Sequence, residues 1–194
     1  MLLSELNYKY TSTALTLRAI SLTGTRTIRL SFAIAGLDDS RAISALRNAA
    51  ARALTVRYGR GHWSGETTER GVVFGMKYAH VWIAQRGKSI VGTFRLATKK
   101  PWAIDRAYFA PSIRPLYLTD MAVTPTLQGR GVGRRCLVQA VEATRDWAGD
   151  AIRLDAYDAE AGAGEFYEKC GFMQVGRVSY RGTPLVYYEQ VLTL

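Results

Sequence analysis

The chain has 194 residues and a net charge of +10, which gives enough length for one domain with a full core and favours anionic ligands or nucleic acid. Two cysteines and two histidines are too few for a disulfide framework or a metal centre, so we expect neither. No apolar run approaches the roughly 20 residues that span a bilayer, and the start of the chain lacks the pattern of a signal peptide. We therefore expect a cytoplasmic protein with no membrane partner.

The first part of the chain predicts an extension, a strand and a helix. We expect residues 1–24 to form an N-terminal extension and residues 25–194 to form a single domain. Within the extension, residues 15–20 are predicted as a strand or part of an ordered tail. The run TIRLSFAIAG (27–36) is typical of a strand. The next segment, 37–54, is predicted as a helix because its apolar residues recur every three or four positions. The residues on that apolar face are Ile43, Leu46, Ala50 and Leu54.

The middle of the chain predicts a β-hairpin between two irregular segments. Residues 58–71 are punctuated by glycine, which is typical of a loop. Two β-rich runs over 79–98 flank Gly87, which indicates a hairpin. The segment 99–115 contains three prolines and has no sustained period, so we expect a long irregular insertion.

The last part of the chain alternates strands and helices. The predicted elements are strands over 116–123 and 151–157, helices over 136–148 and 158–171, and a hairpin over 177–192. We expect Asp158 to cap the last helix, and Gly162 and Gly164 to lie inside it. Together the elements indicate one α/β domain with a mixed sheet.

The segment TLQGRGVGRR (126–135) follows a strand and opens a helix with alternate glycines and three arginines. A helix N-terminus already carries positive charge, so arginines there are unfavourable unless an anion is bound. We therefore expect Arg130, Arg134 and Arg135 to face a phosphorylated ligand, the alternative being a glycine-rich helix start with exposed arginines. A nucleotide P-loop is excluded because it needs Lys and then Ser or Thr after the last glycine. The alternate spacing also fits poorly to the G-x-G-x-x-G fingerprint of dinucleotide-binding proteins.

The order of these motifs resembles that of the GNAT superfamily of N-acetyltransferases, whose cofactor is acetyl-CoA. The family signature Gln/Arg-x-x-Gly-x-Gly/Ala stands here as Gln128-Gly-Arg-Gly-Val-Gly133. TDMAV precedes it on a predicted strand and FYEKCGF follows it on a predicted helix, so the resemblance covers residues 116–172. It implies an α/β fold of the GNAT type, in which a mixed and mostly antiparallel sheet is splayed at the cofactor site and flanked by helices.

The resemblance also implies which residues bind coenzyme A. The backbone at the end of the strand over 116–123 would hold the pantetheine arm, and the amides of the glycine segment would hold the diphosphate. The implied cofactor-binding residues are Met121, Ala122, Val123, Gln128, Gly129, Arg130, Gly131, Val132, Gly133 and Arg134. Many relatives have an Asn where Glu160 stands, and a carboxylate cannot donate the same hydrogen bond.

By the same resemblance, a primary amine attacks the acetyl group directly and Tyr167 is the general acid that protonates the leaving sulfur. An alkyl amine has a pKa near ~10 and must lose a proton before it attacks. Asp120 is the first choice for the base that takes this proton, and Asp155 or water remain alternatives. The structural alternatives are a core tyrosine and aspartates paired with arginines.

The acceptor is the part of the reaction that the sequence specifies least. In the family it is bound between the first helix–loop region and the final hairpin. Here these segments offer aromatic walls and basic groups, namely Trp63, Tyr180, Tyr187, Tyr188, Arg177 and Arg181. They favour a small-molecule or peptide amine that carries a carboxylate or phosphate. An amine on RNA, such as an aminoacyl-tRNA, a CoA-binding module without chemistry, and a homodimer all stay open.

Overall fold

The computed structural model describes residues 28–192, which form one seven-stranded sheet flanked by helices. The strands are β1 (Ser31–Ile34), β2 (His80–Arg86), β3 (Ser89–Ala97), β4 (Pro115–Val123), β5 (Ala151–Tyr157), β6 (Met173–Tyr180) and β7 (Thr183–Val191). The helices are α1 (Ser40–Tyr58), α2 (Glu69–Met76), α3 (Val132–Asp146) and α4 (Gly164–Lys169). The expected extension over 1–24, with its strand or tail at 15–20, lies outside the described residues.

The strand order is β1-β2-β3-β4-β5-β7-β6, and every neighbouring pair is antiparallel except β4 and β5, which are parallel. The parallel pair follows from the connection, because α3 carries the chain from the end of β4 back to the start of β5. The predicted fold class and the two hairpins are confirmed. β1 is shorter than the predicted strand over 27–36.

The larger core lies between α3 and one face of the sheet. The buried α3 residues Cys136, Leu137 and Ala140 pack with Phe94 and Ile152 of the strands, so the predicted apolar stripe is confirmed. The helix ends at Asp146, two residues before the predicted end. None of the helices among residues 28–192 is long and apolar enough to cross a membrane.

The opposite face of the sheet is covered by α1 and α2. Ile43 of α1 and Val72 of α2 pack against Val81 and Ile83, which alternate along β2 with residues of the larger core. α2 was not predicted, since it is eight residues long and contains two glycines. Its first turn is capped by Thr68, whose hydroxyl accepts a hydrogen bond from the N–H of Gly71 at 3.1 Å.

The insertion over 99–115 is irregular, as predicted, but it is tied to the sheet by buried polar groups. Arg153 of β5 and Glu189 of β7 form an ion pair of 2.8 Å with side chains only 3% and 4% exposed. The backbone of Ala110 donates to Glu189 at 3.1 Å and accepts from Arg153 at 2.5 Å. The hydroxyl of Tyr187 donates to the carbonyl of Ala103. These contacts make the insertion a fixed wall beside the sheet.

The last helix is shorter than predicted, because α4 begins only at Gly164. Asp158 does not cap it, since its carboxylate accepts two hydrogen bonds from Arg177 at 3.0 and 3.1 Å. Gly162 lies in the turn before the helix, where a Cβ would stand 2.0 Å from the carbonyl oxygen of Tyr157. This close approach, rather than a place inside a helix, explains the glycine.

Candidate active site

A cleft opens where β4 and β5 separate. The two strands pair only over Pro115–Tyr117 and 151–153, and a bulge at Asp120 then changes the register of β4 against β3. Asp120 has a φ of +54°, in the left-handed region that is uncommon for residues other than glycine. Beyond this point the edge of β4 that faces β5 pairs with no strand among residues 28–192, and the cleft beside it has a volume of about 890 Å³.

The glycine segment lies at the end of β4, as predicted. Gly129 and Gly131 have φ values of +70° and +79°, and apart from the adjacent residues no described atom lies within 4 Å of a Cβ placed at either position. The side-chain amide of Gln128 donates to the carbonyl of Val123 at 3.2 Å, which ties the turn to the strand. The backbone of the two glycines is therefore open to close approach by a ligand.

The start of α3 presents free hydrogen-bond donors. The N–H groups of Val132, Gly133 and Arg134 have no acceptor among the described residues, as expected for the first turn of a helix. Such donors, together with the positive end of the helix dipole, suit a bound phosphate. The coenzyme A diphosphate therefore fits the residues present.

The three arginines of this segment have different surroundings. Arg130 and Arg134 are exposed beside the free N–H groups. The guanidinium of Arg135 instead donates to the carbonyls of Ile28 and Leu30, at 3.4 Å for Leu30. Contrary to the prediction, Arg135 holds the chain before β1 and does not face the ligand side.

Tyr167 extends from α4 to the cleft, although its side chain belongs to the core. It is 9% exposed, and its hydroxyl lies 4.0 Å from the sulfur of Met121 on the free edge of β4. Burial first, and then the nearby charge of Asp155, raises the pKa of Tyr167 well above its usual value. The phenol therefore keeps its proton at the edge of the cleft.

The two aspartates predicted as bases line the cleft in different environments. The carboxylate of Asp120 is 3.2 Å from Nε of Arg95 and 3.6 Å from Nη1 of Arg47. Asp155 on β5 forms no ion pair among the described residues, and burial raises its pKa. Asp120 is thus held by two cations, whereas Asp155 is a partly desolvated carboxylate.

The other end of the cleft is aromatic. His62 stacks on Tyr157 with 5.8 Å between ring centroids, and Trp63 meets the same ring edge-on at 5.8 Å. Nε2 of His62 lies 2.9 Å from the hydroxyl of Thr183, so the loop after α1 closes over β5 and β7. Trp102 of the insertion also lines the cleft.

The predicted acceptor residues divide into two groups. Trp63, Tyr180 and Arg181 line the cleft. Tyr187, Tyr188 and Arg177 do not belong to the lining: Tyr187 holds the insertion, Tyr188 packs against Tyr167, and Arg177 pairs with Asp158. Tyr187 and Tyr188 are buried, and β7, which carries them, lies between β5 and the edge strand β6.

Two cationic residues of the site, Arg47 and Arg95, are not evident from the motifs. Arg47 falls four residues after Ile43 and three before Ala50, so it lies on the inner face of α1. A single arginine on an otherwise apolar helix face was the available signal. Arg95 sits in a β-rich run, where nothing distinguishes it from a surface arginine.

Comparison with known proteins identifies the family. A model described as an acetyltransferase (GNAT) domain matches residues 77–174. The chain belongs to the GNAT acetyltransferases. The match begins just before the β2–β3 hairpin and includes β4, the glycine segment, α3, β5 and α4. A search of curated proteins found no match.

Solved structures share the GNAT fold at low sequence identity. An acetyltransferase of the GNAT family from Streptococcus agalactiae is 17% identical with a TM-score of 0.67, covering 85% of this chain and 96% of that one. The ribosomal-protein-S18-alanine N-acetyltransferase from Escherichia coli is 14% identical with a TM-score of 0.63, covering 86% and 96%. YncA from Salmonella typhimurium, solved with its cofactor acetyl-CoA, is 15% identical with a TM-score of 0.61, covering 84% and 94%. These likenesses confirm the predicted GNAT fold.

Proposed function

We propose that the protein transfers an acetyl group from acetyl-CoA to a primary amine. The observation that carries the proposal is the convergence of three features on one cleft: the unpaired edge of β4, the free N–H groups at the start of α3, and the protonated phenol of Tyr167. An N-acetyltransferase needs each of them, since it must hold an extended thioester and a diphosphate and return a proton to the leaving sulfur.

The cofactor, when bound, supplies an acetyl group activated as a thioester. The backbone of Met121, Ala122 and Val123 would hold the pantetheine by strand-like hydrogen bonds. The amides from Gly129 to Arg134 would hold the diphosphate, with charge added by the side chains of Arg130 and Arg134. In this proposal Gln128 keeps the turn closed against β4 and does not contact the ligand through its amide.

Tyr167 is proposed as the general acid. Its Oη holds a proton beside Met121, at the bulged edge of β4, and can deliver it to the sulfur that leaves. Like any tyrosine it holds this proton at neutral pH, and the buried ring fixes its direction.

Two carboxylates remain candidates for the base. Proton uptake by Asp120 would weaken its ion pairs with Arg47 and Arg95. Asp155 carries no such cost, and its pKa is shifted upward, which is the direction that suits a base working near neutral pH. We therefore favour Asp155 over Asp120, with water as the remaining alternative.

The proposal is tested by the thermal midpoint of the protein titrated with acetyl-CoA. Wild type should gain about 5–10 °C at a hundredfold excess over Kd. Gly131→Glu should lose the gain, because the added carboxylate would meet the diphosphate. Gly59→Glu is the matched control, since Gly59 has a φ of +78° against +79° for Gly131 and is equally open.

The control should keep the full gain although its backbone strain is greater, since ψ is −173° at Gly59 against 0° at Gly131. A wild type with no gain, or equal gains in both variants, would contradict cofactor binding at this segment. Among the similar structures is one named for acetylation of an alanine of a ribosomal protein, which keeps peptide amines among the acceptors to be tried.

A further inference from the structure

A pair of guanidinium groups lies in the cleft beside the bulge of β4. Arg47 comes from α1 and Arg95 from β3, and their side chains are 13% and 32% exposed. Both contact the same carboxylate, that of Asp120. Arg95 also donates to the hydroxyl of Thr119 at 2.9 Å. We call these two residues the arginine pair.

The hydrogen-bonding capacity of the pair is not used up. Nε and Nη2 of Arg47 are buried and have no acceptor among the described residues. Burial lowers the pKa of Arg47, and the nearby charge of Arg95 lowers it further while Asp120 opposes the shift. A buried cationic donor without an acceptor is costly, so such a group is normally satisfied by water or by a ligand. Nε1 of Trp63, in the same cleft, is also buried without an acceptor.

The charges around the cleft leave room for one anion. The positive side chains of the lining are Arg47, Arg95 and Arg181, and the negative ones are Asp120 and Asp155. With the reacting amine in its neutral form, one added negative charge balances this set, which suits a carboxylate better than a phosphate monoester with nearly two charges.

The position of the pair restricts the shape of the ligand. Asp120, which bridges the two arginines, directly precedes Met121, and the sulfur of Met121 lies 4.0 Å from the hydroxyl of Tyr167. A group bound by the pair therefore lies next to the place where the acetyl group would be transferred. Only a few bonds can separate such a group from the reacting nitrogen.

We propose that the acceptor is an amine with a carboxylate a few bonds from its nitrogen, and that the arginine pair binds this carboxylate. The inference rests on the proposed function and names its substrate class. Charge-assisted hydrogen bonds from guanidinium to carboxylate are strong and directional, so they both attract and orient such an acceptor.

The test compares two pools of amines as acceptors, by release of coenzyme A from acetyl-CoA. One pool contains the L-amino acids with β-alanine and γ-aminobutyrate, and the other contains the corresponding amides. The acids should react with a kcat/KM about tenfold or more above that of the amides. Arg47→Gln and Arg95→Gln should each reduce the rate with acids about tenfold or more, chiefly through KM, and change the rate with amides less than threefold.

Arg52→Gln is the matched control, because Arg52 is an exposed arginine on the same helix. It should keep the preference of wild type. The acetyl-CoA midpoint shift, measured in every variant, separates failure of the proposed function from failure of this inference. If wild type shows the shift but uses both pools equally, uses neither, or prefers O-phosphoethanolamine, the carboxylate assignment is overturned. The comparison in wild type decides this even if a variant does not fold.

Discussion

Tyr167 belongs to both the core and the cleft, which makes it possible to separate its two contributions. The ring packs against Phe172 and Tyr188 at centroid distances of 5.8 and 5.9 Å. The hydroxyl makes a single hydrogen bond among the described residues, a weak one to the sulfur of Met121. Removal of the oxygen alone therefore leaves the packing in place.

Tyr167→Phe should lower kcat by about 10²–10⁴-fold, as expected for loss of a general acid, while the acetyl-CoA midpoint shift is kept. Its own thermal midpoint should change little. Tyr188→Phe is the control, because it is an equally buried tyrosine whose hydroxyl donates to Glu168 at 3.3 Å. A Tyr167→Phe enzyme within threefold of wild-type kcat would rule out this role.

Asp155 provides a prediction about pH. Because burial raises its pKa in the folded state, the stability associated with its protonation is present below the unfolded value of about 3.9 and is lost as pH rises through the folded value. The Asp155→Asn variant cannot ionise at this position, so it does not lose this stability as pH rises. The thermal midpoint of the variant minus that of wild type should therefore be larger at pH 8 than at pH 4.

Asp150 is a control with the opposite sign. Desolvation alone would raise the pKa of Asp150, but hydrogen bonds from Ser112 and from the N–H groups of Ile113 and Arg114 lower it. The Asp150→Asn variant should therefore be less stable than wild type at neutral pH, and this difference in stability should become smaller as pH falls. A midpoint difference for Asp155→Asn that is the same at both pH values would disprove the assigned burial.

Among the elements, the insertion over 99–115 is held by a buried ion pair. The Arg153–Glu189 pair is buried, and both partners also bind the backbone of Ala110. Arg153→Met leaves Glu189 charged and unpaired in the interior and should reduce the free energy of unfolding by about 3–5 kcal/mol, measured by denaturant titration.

The matched control is Lys169→Met, since Lys169 and Glu165 form an ion pair of nearly the same length, 2.9 against 2.8 Å, at the surface. This variant should leave the unfolding curve unchanged, because exposed pairs contribute little. Equal losses in the two variants would show that the buried pair does not anchor the insertion.

The elements that the sequence predicted are those with a strong local pattern. α3 has a clear apolar stripe and the β2–β3 hairpin has a turn at Gly87 between β-rich runs, and both are confirmed. α2 was missed because its packing against α1 and β2 stabilises it, and a segment with two glycines carries little propensity. The start of α4 was placed too early, because the contact of Asp158 with Arg177 joins residues that are distant in sequence.

At the scale of the whole molecule, the family could be predicted because its cofactor-binding motifs are contiguous in the sequence. The acceptor side of the cleft could not be predicted in the same way. Arg47 of α1, Arg95 of β3 and Asp120 of β4 are distant in sequence and meet only in the folded protein. Tyr157 and Trp102, which are also distant in sequence, likewise come together at the cleft only in the folded protein. Cytoplasmic location, the division into an extension over 1–24 and a domain over 25–194, and an acceptor amine on RNA stay predictions.

The tethered insertion has a consequence for how this enzyme can change. Its attachment points, Arg153, Tyr187 and Glu189, lie outside the segment that would bind coenzyme A, and Trp102 lines the cleft. Replacement of residues around Trp102 therefore alters one wall of the cleft while the anchors and the cofactor half keep their geometry. Under the proposed function, we expect that exchange of this short surface segment would change the preference for the acceptor and leave the binding of acetyl-CoA unchanged.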